Sequence, residues 1–224
     1  MNHKRKKIAF HTLGCKLNFA ETSTIARSFP EEEFERVSSS QKADIYIINT
    51  CSVTDAADKK CRQAIRKFIK RSPEAFIAVA GCYSQLRPEE LANIPGVDLV
   101  LGINERFHIA DFTNGFEKEK FCRIHSCKLS PSDSFIASFS VGGRTRSFLK
   151  VQDGCDYGCS YCTIPAARGS SRSPSITSIK KETLILAEKG VKEVVLTGVN
   201  TGDFGKRTGE TLTCLLYTSD AADE

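Results

Sequence analysis

The chain has 224 residues, 40% of them apolar and 26% charged, which are the proportions of a globular protein with room for one large domain or two small ones. Its 32 basic and 27 acidic residues leave a net charge of +5, compatible with a polyanionic partner but too mild to require one. No apolar run approaches the roughly 20 residues of a membrane-spanning helix, so no membrane partner is expected.

The first residues, Met1-Asn2-His3-Lys4-Arg5-Lys6-Lys7, make a basic lead into an apolar stretch, the order of a secretory signal. His11 and Thr12 interrupt that stretch too early, and a cytoplasmic protein opening on a β-strand is the better reading. Residues 7–12 read as that strand and 18–29 as a helix. Residues 44–49 are nearly all apolar, as in a parallel strand buried on both faces. Helical spacing of Ala57, Cys61, Ala64, Ile65 and Phe68 predicts a helix over 54–71, with its cations mostly on other faces. A buried strand at 76–80, a short helix at 88–92, a strand at 97–101 and a helix at 105–111 complete the alternation. The expectation is an α/β fold with an N-terminal doubly wound parallel-sheet domain over residues 4–114.

Residues 115–143, with a charged run and a Ser-rich segment, read as a linker holding extended strands at 121–124 and 135–141. A second α/β unit over 144–213 has a strand at 147–152, a helix at 176–189 stopped by Gly190, and a strand at 193–196. One such unit cannot cover both faces of its sheet, so this domain reads as unfinished.

Ten cysteines in a reducing compartment point to metal binding or redox chemistry rather than disulfides. Cys155, Cys159 and Cys162 pack three thiols into eight residues of a glycine-containing loop. A structural zinc takes four ligands, and no fourth Cys or His lies nearby. Three thiolates suit a [4Fe-4S] cluster with one iron left open, since such clusters are normally held by four cysteines. Tyr161 offers an aromatic wall beside it. Cys15, Cys51 and Cys82 share no local spacing, but each follows the carboxyl end of a predicted parallel strand, where open α/β sheets form their binding crevice. A second three-cysteine cluster site is therefore expected there. Cys61 reads as core, and Cys122, Cys127, His11 and His125 as packed or solvated. The basic helix face around Lys59, Arg66 and Lys70 reads equally as a phosphate contact or a solvated face. Arg144, Arg146, Lys150, Arg168 and Arg172 flank the three-cysteine loop.

Thr12-Leu13-Gly14-Cys15-Lys16-Leu17-Asn18, Asn49-Thr50-Cys51-Ser52-Val53-Thr54 and Ala80-Gly81-Cys82-Tyr83-Ser84-Gln85 resemble the N-terminal domain of the methylthiotransferases. Gly154 through Cys162, with Ile164-Pro165, Arg168-Gly169 and Arg172-Ser173, resembles their radical S-adenosylmethionine domain. The resemblance implies the first part of a partial (β/α) barrel after the sheet domain, and two [4Fe-4S] clusters on the two cysteine trios. It implies S-adenosylmethionine chelated at the open iron of the second trio, with Gly198, Val199 and Asn200 offering backbone groups to its methionine moiety. Reductive cleavage there would give a 5′-deoxyadenosyl radical, and the first trio would hold or supply the sulfur. The partners implied are a tRNA and an electron donor such as flavodoxin or ferredoxin. Cys15-Lys16-Leu17-Asn18 with Glu21-Thr22 resembles the branch that modifies C2 of N6-threonylcarbamoyladenosine. The branches for isopentenyladenosine in tRNA and for a ribosomal-protein aspartate usually carry a Gln-containing version. Residues 214–224 do not resemble the family and read as a non-native tail, and the stretch as a whole reads as an incomplete enzyme without full activity. A zinc-stabilised nucleic-acid-binding module is the alternative of another class.

Overall fold

The computed structural model describes residues 5–113, 115–141 and 146–219. Arg144 and the end of the 214–224 segment lie outside the described residues. The chain divides into two compact units, Met1–Lys128 and Leu129–Glu224, parting inside the 115–143 stretch read as a linker.

In the first unit, β1 (Lys6–Thr12), α1 (Lys16–Arg27), β2 (Phe34–Val37), β3 (Ile45–Thr50), α2 (Asp55–Arg71), β4 (Phe76–Gly81), α3 (Cys82–Leu86), α4 (Pro88–Ala92), β5 (Leu99–Leu101) and β6 (Arg123–His125) follow in order. All six strands pair in parallel, in the order β2-β1-β3-β4-β5-β6. The chain winds outward from β1 to β2 and then back across to β3, so the topological switch lies between β1 and β3.

Every residue of β3 and β4 is buried, because helices cover both faces. Alternate residues divide between two cores. Ile45, Ile47, Phe76 and Ala78 pack with Ile25 of α1, with Phe29 just past its end and with Ile109. Tyr46, Ile48, Ile77 and Val79 pack with Cys61, Ile65 and Phe68 of α2 and with Leu91 of α4. Each Val, Leu, Ile or Phe side chain so buried contributes about 1.5–3 kcal/mol.

Several elements differ from the sequence reading, each for a local reason. Helix α1 starts at Lys16 rather than residue 18, since Cys15 takes an extended N-cap conformation (φ −97°, ψ 176°) directly after the β1 loop. Residues 105–112 form a 3-10 segment, broken by non-helical dihedrals at His108, instead of an α-helix. The 121–124 strand is β6, and it belongs to the first unit's sheet. Of 135–141, only Phe139 pairs, in an isolated antiparallel bridge to Leu149.

The second unit has β7 (Arg146–Lys150), α5 (Ile164–Arg168), α6 (Ile176–Glu188), β8 (Glu193–Thr197) and α7 (Leu212–Ser219). Strands β7 and β8 pair in parallel. Leu149, Val151, Ile179, Leu186 and Phe204 form its core, joined by Leu215 from the segment read as a tail. Among the described residues no helix is long and apolar enough to cross a membrane.

Candidate metal centres

In the first unit Cys15 and Cys51 follow β1 and β3 and Cys82 opens α3 directly after β4, all at the carboxyl edge of the sheet, on either side of the switch point. Three buried side chains stitch these loops together. Asn18, fully buried in α1, donates from Nδ2 to the carbonyls of Leu13 (2.8 Å) and Thr50 (3.0 Å). Asn49 Nδ2 donates back to the Asn18 carbonyl (3.1 Å) and to Thr22 Oγ1 (3.0 Å). Thr50 Oγ1 donates to the Ala80 carbonyl at 2.6 Å, tying the end of β3 to the residue before Gly81 and Cys82. Buried amides and hydroxyls of this kind persist only with partners, and here the partners are the backbone of the cysteine-bearing turns.

Two glycines let the loops approach. Gly14 has φ +104°, and a Cβ there would lie 2.6 Å from Cys51 Cβ and 2.9 Å from its Sγ. Gly81 has φ +107°, and its Cβ would lie 2.5 Å from both Asn49 Oδ1 and the Thr50 carbonyl. The backbone of the β1 loop therefore passes directly against the Cys51 thiol, at a spot where only glycine fits. Cys51 and Cys82 are buried and Cys15 is exposed, so the edge presents sulfur from inside and outside the protein surface.

In the second unit Cys155, Cys159 and Cys162 all line one cavity of about 590 Å³, together with Asp156, Tyr157, Pro165, Ala166 and Ser170. The loop is fixed at its entry by Asp153. This buried carboxylate accepts from Arg168 Nη1 (2.9 Å), Lys150 Nζ (3.3 Å) and Arg172 Nη2 (3.5 Å). Its backbone forms a two-way bridge with Arg172, and Cys155 N–H donates to the Gly169 carbonyl at 3.0 Å. Gly154 has φ +70°, and a Cβ there would fall 2.1 Å from the Ser170 carbonyl, which explains a glycine immediately before Cys155.

Gln152, fully buried, joins this loop to the one after β8. Its Nε2 donates to the Gly154 carbonyl (2.7 Å), the Asp153 carbonyl (3.1 Å) and Ser171 Oγ (3.1 Å), while its Oε1 accepts from Asn200 N–H at 2.8 Å. Gly198 sits over the same side chain, where a Cβ would meet Gln152 Oε1 at 2.9 Å. Gly198 and Asn200 thus abut the residue that holds the cysteine loop, and Gly198, Val199 and Asn200 do not line the cavity. Tyr161 is fully exposed and is not among the cavity's lining residues. The aromatic wall is Tyr157, whose hydroxyl donates to Asp203 Oδ1 at 3.1 Å.

Among the described residues no three Cys, His, Asp or Glu side chains already close into a metal coordination sphere. Each trio shares a sheet edge or a cavity wall. The donor chemistry of both fits iron–sulfur ligation, which takes thiolates. Cys61 and Cys122 behave differently, with burial pushing each thiol up to about 11, so both stay protonated as packing groups. Cys61 Sγ donates to the Cys51 carbonyl at 3.3 Å, supporting that loop from behind. Asn18, Asn49 and Gln152 position the cysteine-bearing segments and are passed over by residue-type reasoning; an amide beside a buried strand end, adjoining a cysteine motif, is their signal.

Residues 7–102 match the family described as "Uncharacterized protein family UPF0004", and residues 149–216 match the "Radical SAM superfamily". The UPF0004 match thus lies ahead of the radical SAM match on one chain. It is 41% identical over 204 residues to the threonylcarbamoyladenosine tRNA methylthiotransferase MtaB of Bacillus subtilis (strain 168), covering 89% of this chain and 45% of that protein. It is 37% identical over 212 residues to the protein of the same name from Aquifex aeolicus (strain VF5), covering 94% and 52%. The chain spans about half the length of the curated relatives it matches. A radical S-adenosylmethionine methyltransferase, TsrM, from Kitasatospora setae, solved with tryptophan substrate and the SAM analog aza-SAM bound, shares the fold. The TM-score is 0.51 at 13% identity, over 88% of this chain and 48% of that one.

Proposed function

We propose that this chain is the cluster-bearing part of a cytoplasmic tRNA methylthiotransferase that places a methylthio group on C2 of N6-threonylcarbamoyladenosine, next to the anticodon. The observation that carries the reading is the single cavity lined by Cys155, Cys159 and Cys162 with no histidine and no fourth cysteine in its wall. Three thiolates there suit a [4Fe-4S] cluster with one iron left for S-adenosylmethionine, and Cys15, Cys51 and Cys82 suit a second cluster. When bound, the clusters and S-adenosylmethionine supply the radical and the sulfur, with electrons from a donor such as flavodoxin or ferredoxin.

The chain's own residues position and shield. Asp153, through Arg168, Arg172 and Lys150, fixes the angle at which the second cysteine loop leaves β7. Gln152 sets the distance between that loop and Asn200, and so between the cluster ligands and the backbone proposed to meet the methionine moiety. Asn18, Asn49 and Thr50 hold the three strand-end turns of the first unit at one edge.

Anaerobic loading with iron and sulfide tests the reading. Brown protein with broad visible charge-transfer absorption and about eight iron atoms per chain is expected, falling by about four in Cys159→Ala and, separately, in Cys51→Ala. Colourless protein that takes up zinc on the same thiols would overturn it in favour of a metal-stabilised nucleic-acid-binding module.

A further inference from the structure

Helix α2 (Asp55–Arg71) turns its apolar residues Cys61, Ile65 and Phe68 into the core and leaves Lys59, Lys60, Arg66, Lys67 and Lys70 exposed on the other side. At about 100° per residue these five cations fall within an arc of about 120°, and they run about 17 Å along the axis. Among the described residues none of the five is in an ion pair. The helix's other acidic side chain beyond the first-turn Asp55, Asp58, is buried and paired with Arg87.

Most of this charge does not serve the helix itself, although Lys59 has an acid, Asp55, four residues before it. Cations near a C-terminus are favourable, which accounts for Lys70 and Arg71, but the effect fades within a turn and does not reach Lys59 or Lys60. Arg62–Arg66, Arg66–Lys70 and Lys67–Arg71 are like-charged pairs four residues apart, each costing about 0.2–0.5 kcal/mol in a helix. The face also lacks what other partners require. Protein interfaces bury an apolar or aromatic centre in which lysine is depleted, and membrane-surface helices expose an apolar stripe. Here the apolar stripe is inside the protein.

We propose that this face of α2 docks the sugar–phosphate backbone of the substrate RNA. The proposal rests on the reading that the substrate is a tRNA, and it names the surface that takes it. Thr54 caps α2 three residues after Cys51, its Oγ1 accepting from Ala57 N–H at 3.2 Å. The row of cations therefore begins about 6 Å along the helix from the sheet edge where Cys51 emerges and ends about 22 Å along it. A strand lying on this row leads its phosphates away from the proposed sulfur site while its target base stays near that edge.

The test is anisotropy titration of the full chain, anaerobically loaded, with a fluorescent anticodon stem-loop RNA over about 50–200 mM salt. Lys59→Gln/Arg66→Gln/Lys70→Gln removes three charges and keeps good helix formers. Its binding is expected to be about tenfold weaker, with the slope of log affinity against log salt reduced by about two, while iron content and thermal midpoint match the unaltered chain. Lys59→Arg/Lys70→Arg is expected to bind as the unaltered chain does. The same affinity and salt slope in the triple Gln variant would overturn the surface while leaving the tRNA reading in place. No salt-dependent RNA binding by the unaltered chain would overturn both. Intact RNA binding with lost binding to an acidic flavodoxin would reassign the face to a protein partner.

Discussion

Replacing Gly14 by alanine puts a methyl group 2.6 Å from Cys51 Cβ and 2.9 Å from its sulfur, closer than carbon and sulfur approach without displacement. Two costs add. The backbone at φ +104° is one that residues with a side chain rarely adopt, and holding alanine there costs about 1–3 kcal/mol. Forcing an extra carbon into a packed turn costs a further 1–3 kcal/mol or so. The sum, about 2–6 kcal/mol, is a large share of a domain's stability. With a urea dependence of about 1–3 kcal/mol per molar, the midpoint of the first unit should fall by on the order of 1–2 M. Gly115→Ala is the matched control in the same unit. Its φ is +69°, but nothing lies within 4 Å of the added carbon, so only the left-handed penalty of about 1–2 kcal/mol applies. Hydrogen exchange read by mass spectrometry on peptides spanning β3 and β4, through a urea series, reports the first unit by itself. Iron content after anaerobic loading reports the cluster site proposed at Cys51. The reasoning fails if Gly14→Ala unfolds at the same urea as Gly115→Ala and retains all of its iron.

Gln152→Leu strips the partners from the Gly154 carbonyl and the Asn200 N–H together; a loss of about 2–4 kcal/mol in the second unit is expected by thermal unfolding, with weakened visible absorption after iron loading. Arg106 and Glu21 form a fully buried ion pair at 2.5 Å between the 105–112 segment and α1. Arg106→Met should cost about 3–5 kcal/mol in urea unfolding by removing the cation buried against the Glu21 carboxylate, and Glu21→Met on top of it should recover part of that loss rather than add to it. Burial first, and then the nearby Lys67, lower the pKa of His11 below its usual value. The unfolded chain therefore takes up a proton as pH falls through about 6.5 while the folded one resists it. His11 accordingly withdraws stability from about pH 6.5 down to its folded pKa. The stability difference between the unaltered chain and His11→Phe should thus shift against the unaltered chain between about pH 7.5 and 5.5, and no shift would contradict the assignment.

The buried strands were the most legible part of the chain, because a strand covered on both faces must be apolar throughout: 44–49 and 76–80 were read within a residue of β3 and β4. Strand β2 (Phe34–Val37) was not read, since it lies at the sheet edge, half of it exposed, with Glu35 and Arg36 in its middle. Helix α3 was hidden for another reason. It begins at Cys82 directly after β4 ends at Gly81, with no intervening turn to signal the change of period. The strand-end cysteines could be grouped because strand direction alone fixes which edge a loop leaves from. What sequence could not supply was the cross-linking of those loops by Asn18, Asn49 and Thr50, which exists only once β1, β3 and β4 lie side by side. Tyr161 shows the opposite limit. Adjacency to Cys162 says nothing about which way a loop side chain faces, and this one faces water.

The β1-β3-β4 neighbourhood also bears on how such a chain matures. Its three edge cysteines are separated by more than thirty residues at each step and share a sheet edge only after long-range parallel pairing, the slowest kind of contact to form. The eight-residue loop from Cys155 to Cys162 needs no such closure. If both trios bind iron as proposed, the later-synthesised thiols need only their own short loop, while the earlier ones come to one edge only on completion of the sheet, so metallation would run opposite to the order of synthesis.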